Sequence, residues 1–302
     1  MARSAMRPRR AEPGPIPDRS GVADRYSAFS FVDRIRVLEP GVRARGRFHV
    51  PARITRFSAQ LASEAVGQLA AWVAMNELGF RLRPVAGIAS DVRYFADVPP
   101  GATIDLEVGI DRLDEESVIY HGAARVADAP AAVLTDILGP MLPAGDFDSP
   151  EDLRGRYQLL TTTGAAVDRL RELPALPWTV IRSEPGRSLA AQLDVPGFAP
   201  AFADHFPRKP VFPATLLVDR HVEMLRGLAA EVPGWSDSNT AEVRLTDLKQ
   251  RAFVEPGSRL EMETKIERVG DEVLSARLLA TCAGRRVAQA RAEVRAGAMA
   301  NV

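Results

Sequence analysis

Cysteine is almost absent from this chain, since Cys282 is the only one among 302 residues. A single cysteine excludes an intramolecular disulfide and any cysteine-rich metal cluster, and it fits a reducing compartment. The sequence also lacks metal-ligand spacing, a phosphate-cradling glycine loop, a dinucleotide fingerprint and a Gly-x-Ser-x-Gly nucleophile motif. We therefore expect no metal, no cofactor and no serine hydrolase chemistry.

Lysine is also scarce, and the chain has no excess charge of either sign. It contains 39 basic and 39 acidic residues, and Lys209, Lys249 and Lys265 are its only lysines. A balanced charge leaves nothing to attract a phosphate backbone, so we expect no nucleic-acid partner.

Long apolar runs are missing, including at the N-terminus. No uncharged apolar stretch approaches the length that spans a bilayer, so no membrane span is expected. Residues 1–25 carry Arg, Pro and Gly but no apolar core, which is typical of a disordered tail rather than a signal peptide. These features predict a cytoplasmic protein.

What the sequence does contain is two copies of one unit. Glu-Pro-Gly at 39–41 and Val-Pro at 50–51 recur 145 positions later, at 184–186 and 195–196. A second landmark, at 98–104, recurs at 254–260, which is 156 positions later. The change of offset indicates an insertion of about ten residues in the second copy.

Each copy predicts the same order of elements: a strand, a Glu-Pro-Gly turn, a strand, one long helix and three strands. Helical spacing of apolar residues places the helices at about Phe57 to Leu78 and Pro213 to Leu228, and Pro213 suits a first helical turn. Segments 103–108 and 259–263 alternate apolar and polar residues, as half-buried antiparallel strands do.

The repeat divides the chain into four parts. We predict a tail over 1–25, a first unit over 26–145, a linker over 146–175 and a second unit over 176–297. Within the linker, Ser149 and Pro150 followed by two acidic residues predict the start of a helix. The linker would join the two units of a pseudo-dimer within one chain.

The stretch from Asp204 to Asp219 (DHFPRKPVFPATLLVD) resembles the signature of the beta-hydroxyacyl-acyl-carrier-protein dehydratase family. In that family His-Phe-Pro leads through Pro-Val-Met-Pro-Gly into a helix with an acid fourteen residues after the His, which is the spacing of Asp219 from His205. In the first copy, residues 31–34 with 38–41 are similar to the family's opening strand and turn, and Glu64 with Gln68 is similar to its helical acid-x-x-x-Gln motif. The resemblance covers about residues 26–297.

This resemblance implies an α+β tandem, or double, hot-dog fold. In a hot-dog unit an antiparallel sheet wraps around a long central helix, which suits a helix that is apolar on most sides. A fused pair already supplies the usual dimer interface, so a monomer is expected, or a homodimer formed through further sheet edges.

The resemblance also implies one composite active site. Family members place a His and a carboxylate from opposite protomers in each site, and the inserted histidine loop is present only in the second copy. We therefore expect His205 of the second copy to act with Glu64 of the first copy. Gln68 would support Glu64, and Asp219 matches the motif without a histidine partner, as a relic or as a residue that holds the helix start.

The implied reaction is loss of water from a 3-hydroxyacyl thioester, or its reverse. A base must take the proton next to the carbonyl, and an acid must protonate the departing hydroxyl. His205 is the predicted base and Glu64 the predicted acid, because burial on an apolar helix favours a neutral carboxyl. By its place in the motif, the backbone NH of Ala214 would stabilise the enolate, although the family usually has Gly there.

Residues beside the histidine suggest further roles. Asp204 stands where the family has Gly, and it is expected to orient the imidazole or raise its pKa. Arg208 and Lys209 would meet an acidic carrier protein or a phosphopantetheine phosphate, or would be ordinary solvated charges. His49, His121 and His221 lack a comparable context and are interpreted as structural.

The hypothesis is thus a dehydratase whose partner is an acyl thioester on acyl carrier protein or coenzyme A, in fatty acid or polyketide-type synthesis. Two enzymatic alternatives stay open: a hot-dog acyl thioesterase, and a dehydratase that also isomerises the double bond. The alternative from another class is a catalytically silent acyl-binding or partner subunit.

Overall fold

Antiparallel strands dominate the described part of the chain, which comprises residues 25–85, 87–235 and 242–295 of a computed structural model. In chain order the elements are β1 (Arg34–Glu39), β2 (Arg43–His49), α1 (Ala59–Glu77), β3 (Leu82–Pro84), β4 (Ile88–Tyr94), β5 (Thr103–Leu113), β6 (Ser117–Val126), β7 (Ala129–Pro143), α2 (Pro150–Thr161), β8 (Trp178–Glu184), β9 (Ser188–Asp194), α3 (Pro200–His205), α4 (Ala214–Ala230), β10 (Glu242–Gln250), β11 (Arg259–Val269), β12 (Val273–Cys282) and β13 (Arg285–Arg295). The tail predicted over 1–25 lies outside the described residues, except for Arg25.

The strands form one continuous sheet with the same order in its two halves. The order is β1-β2-β5-β6-β7-β4 followed by β10-β13-β12-β11-β9-β8, and the short β3 pairs with β7 beside this path. The first half, read outward from the centre, matches the second half strand for strand. The halves meet where β4 and β10 pair antiparallel, with Val92 opposite Leu245 and Tyr94 opposite Val243.

Each half packs one long helix against its strands. α1 contacts β2, β3, β5, β6 and β7, whereas α4 contacts β9, β11 and β12, and the two helices also contact each other. Most buried apolar side chains of both halves belong to one continuous cluster. The helices therefore share a core at the junction of the halves, where elements of both can line one site.

The repeated turns adopt the same backbone conformation in both halves. Gly41 and Gly186 end the Glu-Pro-Gly turns with φ of +68° and +66°. Glycine reaches this left-handed region without the steric cost that a side chain would add. The sequence repeat is thus a repeat of local structure.

The helices and strands predicted above are confirmed with small shifts. α1 and α4 begin two residues and one residue later than predicted, because Ser58 and Pro213 are the N-caps. The linker helix is α2, in which the Ser149 side chain accepts a hydrogen bond from the Asp152 backbone N–H at 3.4 Å and Pro150 takes the first turn.

The prediction of three strands after each long helix is wrong, because four main strands follow each one. The two missed strands are β4 and β10, which lie at the centre of the sheet. β4 carries Asp91 and Arg93, and β10 carries Arg244 and Asp247. Asp91 pairs with Arg244 across the junction, so charges that weaken a strand pattern in the sequence satisfy each other in the sheet.

The inserted segment of the second half lies between β9 and α4 and contains the short helix α3, which ends at His205. The matching connection of the first half, between β2 and α1, contains no helix. The histidine loop is therefore an addition to one half of a repeated framework. Across the part of the chain that the structure describes, no helix combines the length and apolar character needed to cross a membrane.

Candidate active site

A cavity of about 200 Å³ runs along one face of α1, where the two halves meet. Glu64, Gln68, Trp72 and Met75 line it, and their spacing places them on one side of the helix. Residues of β4, β7, β10 and α2 complete the walls. The second half contributes Phe206, Val218 and two of the predicted site residues, His205 and Ala214.

Glu64 is a carboxyl group deep below the protein surface. Burial raises its pKa, although hydrogen bonds from Thr215 and Gln68 and the charge of Arg83 partly oppose this shift. Thr215 Oγ1 donates to Oε2, and Gln68 Nε2 donates to Oε1 at 3.1 Å. Thr215 belongs to α4, so the carboxyl of one half is positioned by a hydroxyl of the other.

Gln68 connects Glu64 to the segment before β1. Its Nε2 also donates to the Phe29 carbonyl at 3.1 Å, and its Oε1 accepts from the Phe31 amide at 2.8 Å. Both ends of the amide are therefore fixed. Gln68 thus lies where a supporting residue for Glu64 was expected.

The His205 imidazole lines the cavity without a hydrogen-bonding partner. It stacks on Phe206 with ring centroids 4.1 Å apart and meets Phe29 edge-on at 5.2 Å. Among the described residues, none forms a hydrogen bond with either ring nitrogen. Burial, and secondarily the charge of Arg83, lowers the pKa of His205 to about 3, so the ring is neutral at neutral pH and free to meet a ligand.

Asp204 neither orients the imidazole nor raises its pKa, so both predicted roles are wrong. Its carboxylate accepts from the backbone amides of Tyr26 and Ala28, both at 2.5 Å, and from that of Phe29 at 2.9 Å. The side chain is buried, and these amides use its acceptor capacity. Asp204 therefore fastens the segment before β1 to the histidine loop, which holds Phe29 against His205.

Arg83, on β3, is a charged residue of the cavity that the sequence patterns did not indicate. Its Nη2 donates to the His205 carbonyl at 3.1 Å, and its guanidinium lies 4.6 Å from the centre of the Phe206 ring. Burial lowers the pKa of Arg83 to about 10, which leaves it positively charged. It fixes the backbone of the histidine loop and imposes a positive potential on Glu64 and His205.

Ala214 is the first residue of α4, and the start of this helix is uncapped. The N-cap is Pro213, which offers no side-chain acceptor. Within the described ranges, no group accepts from the backbone N–H of Ala214. An uncapped helix start points free N–H groups and a partial positive charge at whatever lies in front of it. Ala214 thus combines an N–H at an uncapped helix start with a place in the cavity lining.

The equivalent position in the first half is already filled. Ala59, the first residue of α1, donates its N–H to Asp97 Oδ1 at 3.0 Å. Asp97 Oδ2 pairs with Arg56 at 3.0 Å, and the Arg56 guanidinium holds both oxygens of Asp219 at 3.1 and 3.0 Å. Asp219 occupies on α4 the place that Glu64 occupies on α1, but it does not line the cavity.

The pKa of Asp219 is shifted in the opposite direction to that of Glu64. Burial favours a raised pKa, but the hydrogen bonds and charge of Arg56, together with Arg220, outweigh it and hold the pKa of Asp219 below its usual range. Asp219 does not line the cavity, so this geometry gives it no direct contact with the space that Glu64 and His205 face. Asp219 instead ends a chain of ion pairs, Asp97–Arg56–Asp219. This chain lies at the symmetric position, where Ala59 and Asp219 correspond to Ala214 and Glu64 of the cavity.

Arg208 and Lys209 are exposed on the loop that follows His205. Arg208 Nη1 donates to the Gly145 carbonyl at 2.9 Å, and Lys209 Nζ lies 5.3 Å and 4.9 Å from the ring centres of Phe147 and Phe253. In the described part of the chain, neither cation has a carboxylate within ion-pair distance. Their charges are therefore available on the surface.

The other histidines lie away from the cavity. His49 contacts Thr103 and Asp168, and His121 pairs with Asp111 on an exposed strand. His221 is buried on α4, with Nδ1 3.5 Å from the Thr264 hydroxyl. Burial lowers the pKa of His221 to about 4.

This lowered pKa predicts an acid-sensitive fold. Because the unfolded chain binds a proton at His221 near pH 6.5 and the folded chain does not, the contribution of His221 to stability is complete above pH 6.5 and falls toward pH 4. Between pH 6.5 and 5 the loss is about 2 kcal/mol. Urea unfolding at pH 6.5 and pH 5 measures this loss. Between these pH values the free energy of unfolding should fall by about 2 kcal/mol less in His221→Leu than in wild type. An equal fall in the free energy of unfolding in His221→Leu and wild type would contradict the prediction. The control is His121→Leu, which alters an exposed ring and should behave like wild type.

Sequence reasoning missed Arg83 and Phe29, which line the cavity, and Thr215, which donates a hydrogen bond to Glu64. Thr215 had a usable signal, because it follows Ala214 directly in the histidine-loop motif. Arg83 and Phe29 had none, since they reach the site only through the packing of β3 and of the segment before β1. Within the described residues, no group of three or more His, Cys, Asp or Glu side chains is arranged to hold a metal ion.

Comparison with known proteins finds a family match over part of the chain and several solved structures that resemble it. Residues 182–286 match the ApeI-like family model, described as ApeI dehydratase. A structure assigned as an oleoyl thioesterase from Lactobacillus plantarum is 12% identical, with a TM-score of 0.52, over 84% of this chain and 96% of that chain. The 12:0-ACP thioesterase from Umbellularia californica is 15% identical, with a TM-score of 0.48, over 84% and 94% of the two chains. A MaoC-like dehydratase is 11% identical, with a TM-score of 0.47, over 79% and 83%.

The fold and the position of the cavity define a hot-dog protein. The match to the ApeI dehydratase model over 182–286 contains the whole histidine loop, in line with the resemblance that the sequence motifs carry.

Proposed function

We propose that this protein is a tandem hot-dog dehydratase that removes water from 3-hydroxyacyl thioesters, or adds it to 2-enoyl thioesters, at one composite site. Glu64 comes from the first hot-dog, predicted over 26–145, and His205 and Ala214 come from the second, predicted over 176–297. The linker over 146–175 contributes α2 to the cavity wall. This arrangement makes a pseudo-dimer of a single chain.

One observation carries the proposal: a neutral imidazole and a buried carboxyl from different halves line the same cavity beside an uncapped helix start. Elimination needs a base, an acid and a donor to the developing oxyanion. Burial supplies the neutral form of His205 and raises the pKa of Glu64. Each group is thereby favoured in the protonation state that its step requires.

The reaction follows from these positions. His205 takes the proton from C2 of the substrate, and the Ala214 N–H stabilises the enolate that forms at the thioester oxygen. Glu64 gives its proton to the C3 hydroxyl, which leaves as water while the double bond between C2 and C3 forms. The proton on His205 then returns to the Glu64 carboxylate by exchange with water. Hydration uses the same groups in reverse.

The symmetric position cannot run the same chemistry. The Ala59 N–H is taken by Asp97, and the Asp219 carboxylate is ionised and held by Arg56. Arg56 stands in the shorter loop that replaces the histidine loop in the first half. We infer that this position has a structural role and that the protein has one active site.

Asp219→Asn should therefore keep turnover and lose stability. The substitution removes the charge that a bidentate guanidinium binds, and Arg56 is 42% exposed, so solvent screens part of the loss. We expect the free energy of unfolding to fall by about 1–3 kcal/mol, measured by urea denaturation beside an activity assay. Asp105→Asn, which breaks an exposed ion pair with Arg47, should change little. Lost turnover with unchanged stability would assign Asp219 a catalytic role.

The proposed substrate is carried on acyl carrier protein or coenzyme A. The unpaired surface charges of Arg208 and Lys209, close in sequence to His205, fit an acidic carrier or a phosphopantetheine phosphate. A cytoplasmic location, a monomer or homodimer, and a place in fatty acid or polyketide-type synthesis belong to the same proposal.

The experiment is to follow both the enoyl absorbance and the release of free thiol from 2-enoyl and 3-hydroxyacyl thioesters. A dehydratase changes the absorbance without releasing thiol, whereas a thioesterase releases thiol. The matched pair of variants is His205→Asn and His221→Asn, because both histidines are buried with lowered pKa values and only His205 lines the cavity. Loss of turnover in the first variant alone supports the proposal. Thiol release as the sole wild-type reaction, or no reaction with any thioester, would overturn it.

A further inference from the structure

Arg156 is a buried cation in the cavity wall that the proposed reaction does not use. It lies on α2, is 9% exposed and lines the cavity together with Leu153 and Leu160 of the same helix face. Within the described residues no side chain or carbonyl accepts a hydrogen bond from its guanidinium, and Nη2 is both buried and unpartnered. A buried charge without a hydrogen-bonding partner costs considerable free energy.

The carboxylates whose charges act on Arg156 already accept hydrogen bonds from other groups. Asp33 binds Arg169 and accepts from the His49 amide at 2.7 Å, and Asp204 accepts from three backbone amides. Their charges help to keep Arg156 protonated, with a pKa lowered by burial to about 10. They leave its hydrogen-bonding groups without an acceptor.

Tyr26 adds a second unsatisfied polar group at the same place. The Arg156 guanidinium lies 4.6 Å from the centre of the Tyr26 ring, and the Tyr26 hydroxyl is buried without a partner. Both residues line the cavity. A cation and a hydroxyl are therefore available to one acceptor at the cavity wall.

This polar pair lies on α2 and on the segment before β1, whereas Glu64 and Ala214 lie on α1 and α4. Tyr26 is tied through its backbone to Asp204, next to His205, whereas α2 packs against the far end of α1, where the Trp72 and Tyr157 rings are 6.4 Å apart. The cavity stripe on α1 from Glu64 to Met75 covers eleven helical steps, or about 16 Å. Since Ala214 and Arg156 line the same cavity, the acyl group of a thioester bound at Ala214 would lie in the space that Arg156 faces.

We propose that Arg156 and Tyr26 bind a carboxylate at the distal end of the acyl chain, so that the preferred substrates are thioesters of dicarboxylic acids. This inference rests on the proposed function for its thioester and adds the class of acyl group. A carboxylate supplies both the negative charge and the acceptors that Arg156 lacks, and charge-assisted hydrogen bonds of this kind are among the strong ones. The pantetheine arm itself offers neutral amide and hydroxyl groups, and its phosphate is matched by the exposed Arg208 and Lys209.

The test compares two thioesters of equal carbon count, one ending in a methyl group and one in a carboxylate. Wild type is expected to favour the carboxylate-ended substrate in kcat/KM by about tenfold or more. Arg156→Met keeps the length of the side chain without its charge, and it should abolish this preference and accept the methyl-ended substrate at least as well. Arg154→Met, on the same helix but bound to the Gly79 carbonyl, is the control and should keep the preference.

A wild-type preference for the methyl-ended substrate would overturn the inference. An equal loss of kcat/KM on both substrates in Arg156→Met would also overturn it. That result would place Arg156 against the part of the molecule that the two substrates share. Calorimetric binding of the two saturated, unreactive thioesters separates this inference from the proposed function. If neither substrate turns over, tighter binding of the carboxylate-ended thioester still supports it, and equal or weaker binding rejects it.

Discussion

Glu64→Gln is expected to lower turnover by about 10²- to 10⁴-fold while making the protein more stable at neutral pH. The catalytic loss follows because an amide cannot protonate the departing hydroxyl. The gain in stability follows from linkage. The pKa of Glu64 is higher in the folded protein than in the unfolded chain. Its favourable contribution to the free energy of unfolding is therefore present below the pKa of the unfolded chain and is lost as pH rises through the pKa of the folded protein. A glutamine, which does not ionise, removes that penalty.

Steady-state kinetics and urea unfolding at neutral pH check the two halves of this prediction. Glu77→Gln, at the exposed end of the same helix, is the matched control and should change neither. Wild-type dehydration should also decline as pH rises through the raised pKa of Glu64. A variant that loses turnover and stability together would mean that the Glu64 carboxylate is needed for folding, and it would remove the evidence for a buried acid.

Asp204→Ala is expected to lower the free energy of unfolding by about 5 kcal/mol and to lower turnover as well. Three backbone amides lose a charged acceptor, each worth about 1.5–3 kcal/mol, and two of these amides are buried. The segment before β1 also holds Phe29 against His205 and its carbonyl against Gln68. Its release should therefore loosen both catalytic side chains.

Asp152→Ala is the matched control, because Asp152 holds the same segment from outside through an ion pair with Arg25. That carboxylate is 56% exposed, and we expect a change within about 0.5 kcal/mol. Hydrogen exchange at the amides of residues 26–29 would report the release directly. If those amides stay protected in Asp204→Ala, the role assigned to this carboxylate is wrong.

The framework of the site could be predicted from the sequence because its signals are local. The Glu-Pro-Gly turns, the helical spacing of α1 and the Ser149 cap each depend on neighbouring residues, and the histidine loop was visible as an unequal offset between the repeats. His205, Glu64, Gln68 and Ala214 line or adjoin one cavity as those signals suggested.

The contacts that tune the site could not be predicted, because they join segments far apart in the chain. Asp204 stands beside His205 in sequence, yet its carboxylate faces amides almost two hundred positions earlier. Arg56 and Asp219 are 163 positions apart, and nothing in either local pattern indicates an ion pair. The central strands β4 and β10 were missed for a related reason, since their charges are satisfied only across the junction.

The ion-pair chain at the symmetric position has an evolutionary consequence. In a homodimer one coding sequence determines both active sites, so a substitution that blocks one site also blocks the other. Here the two positions are encoded separately, and Asp97, Arg56 and Asp219 brace one of them without touching the other. The favourable free energy of the ion pairs on one side of the molecule can thus offset the cost of burying unpaired ionisable groups on the other side. A symmetric assembly would carry that cost twice, in both of its cavities.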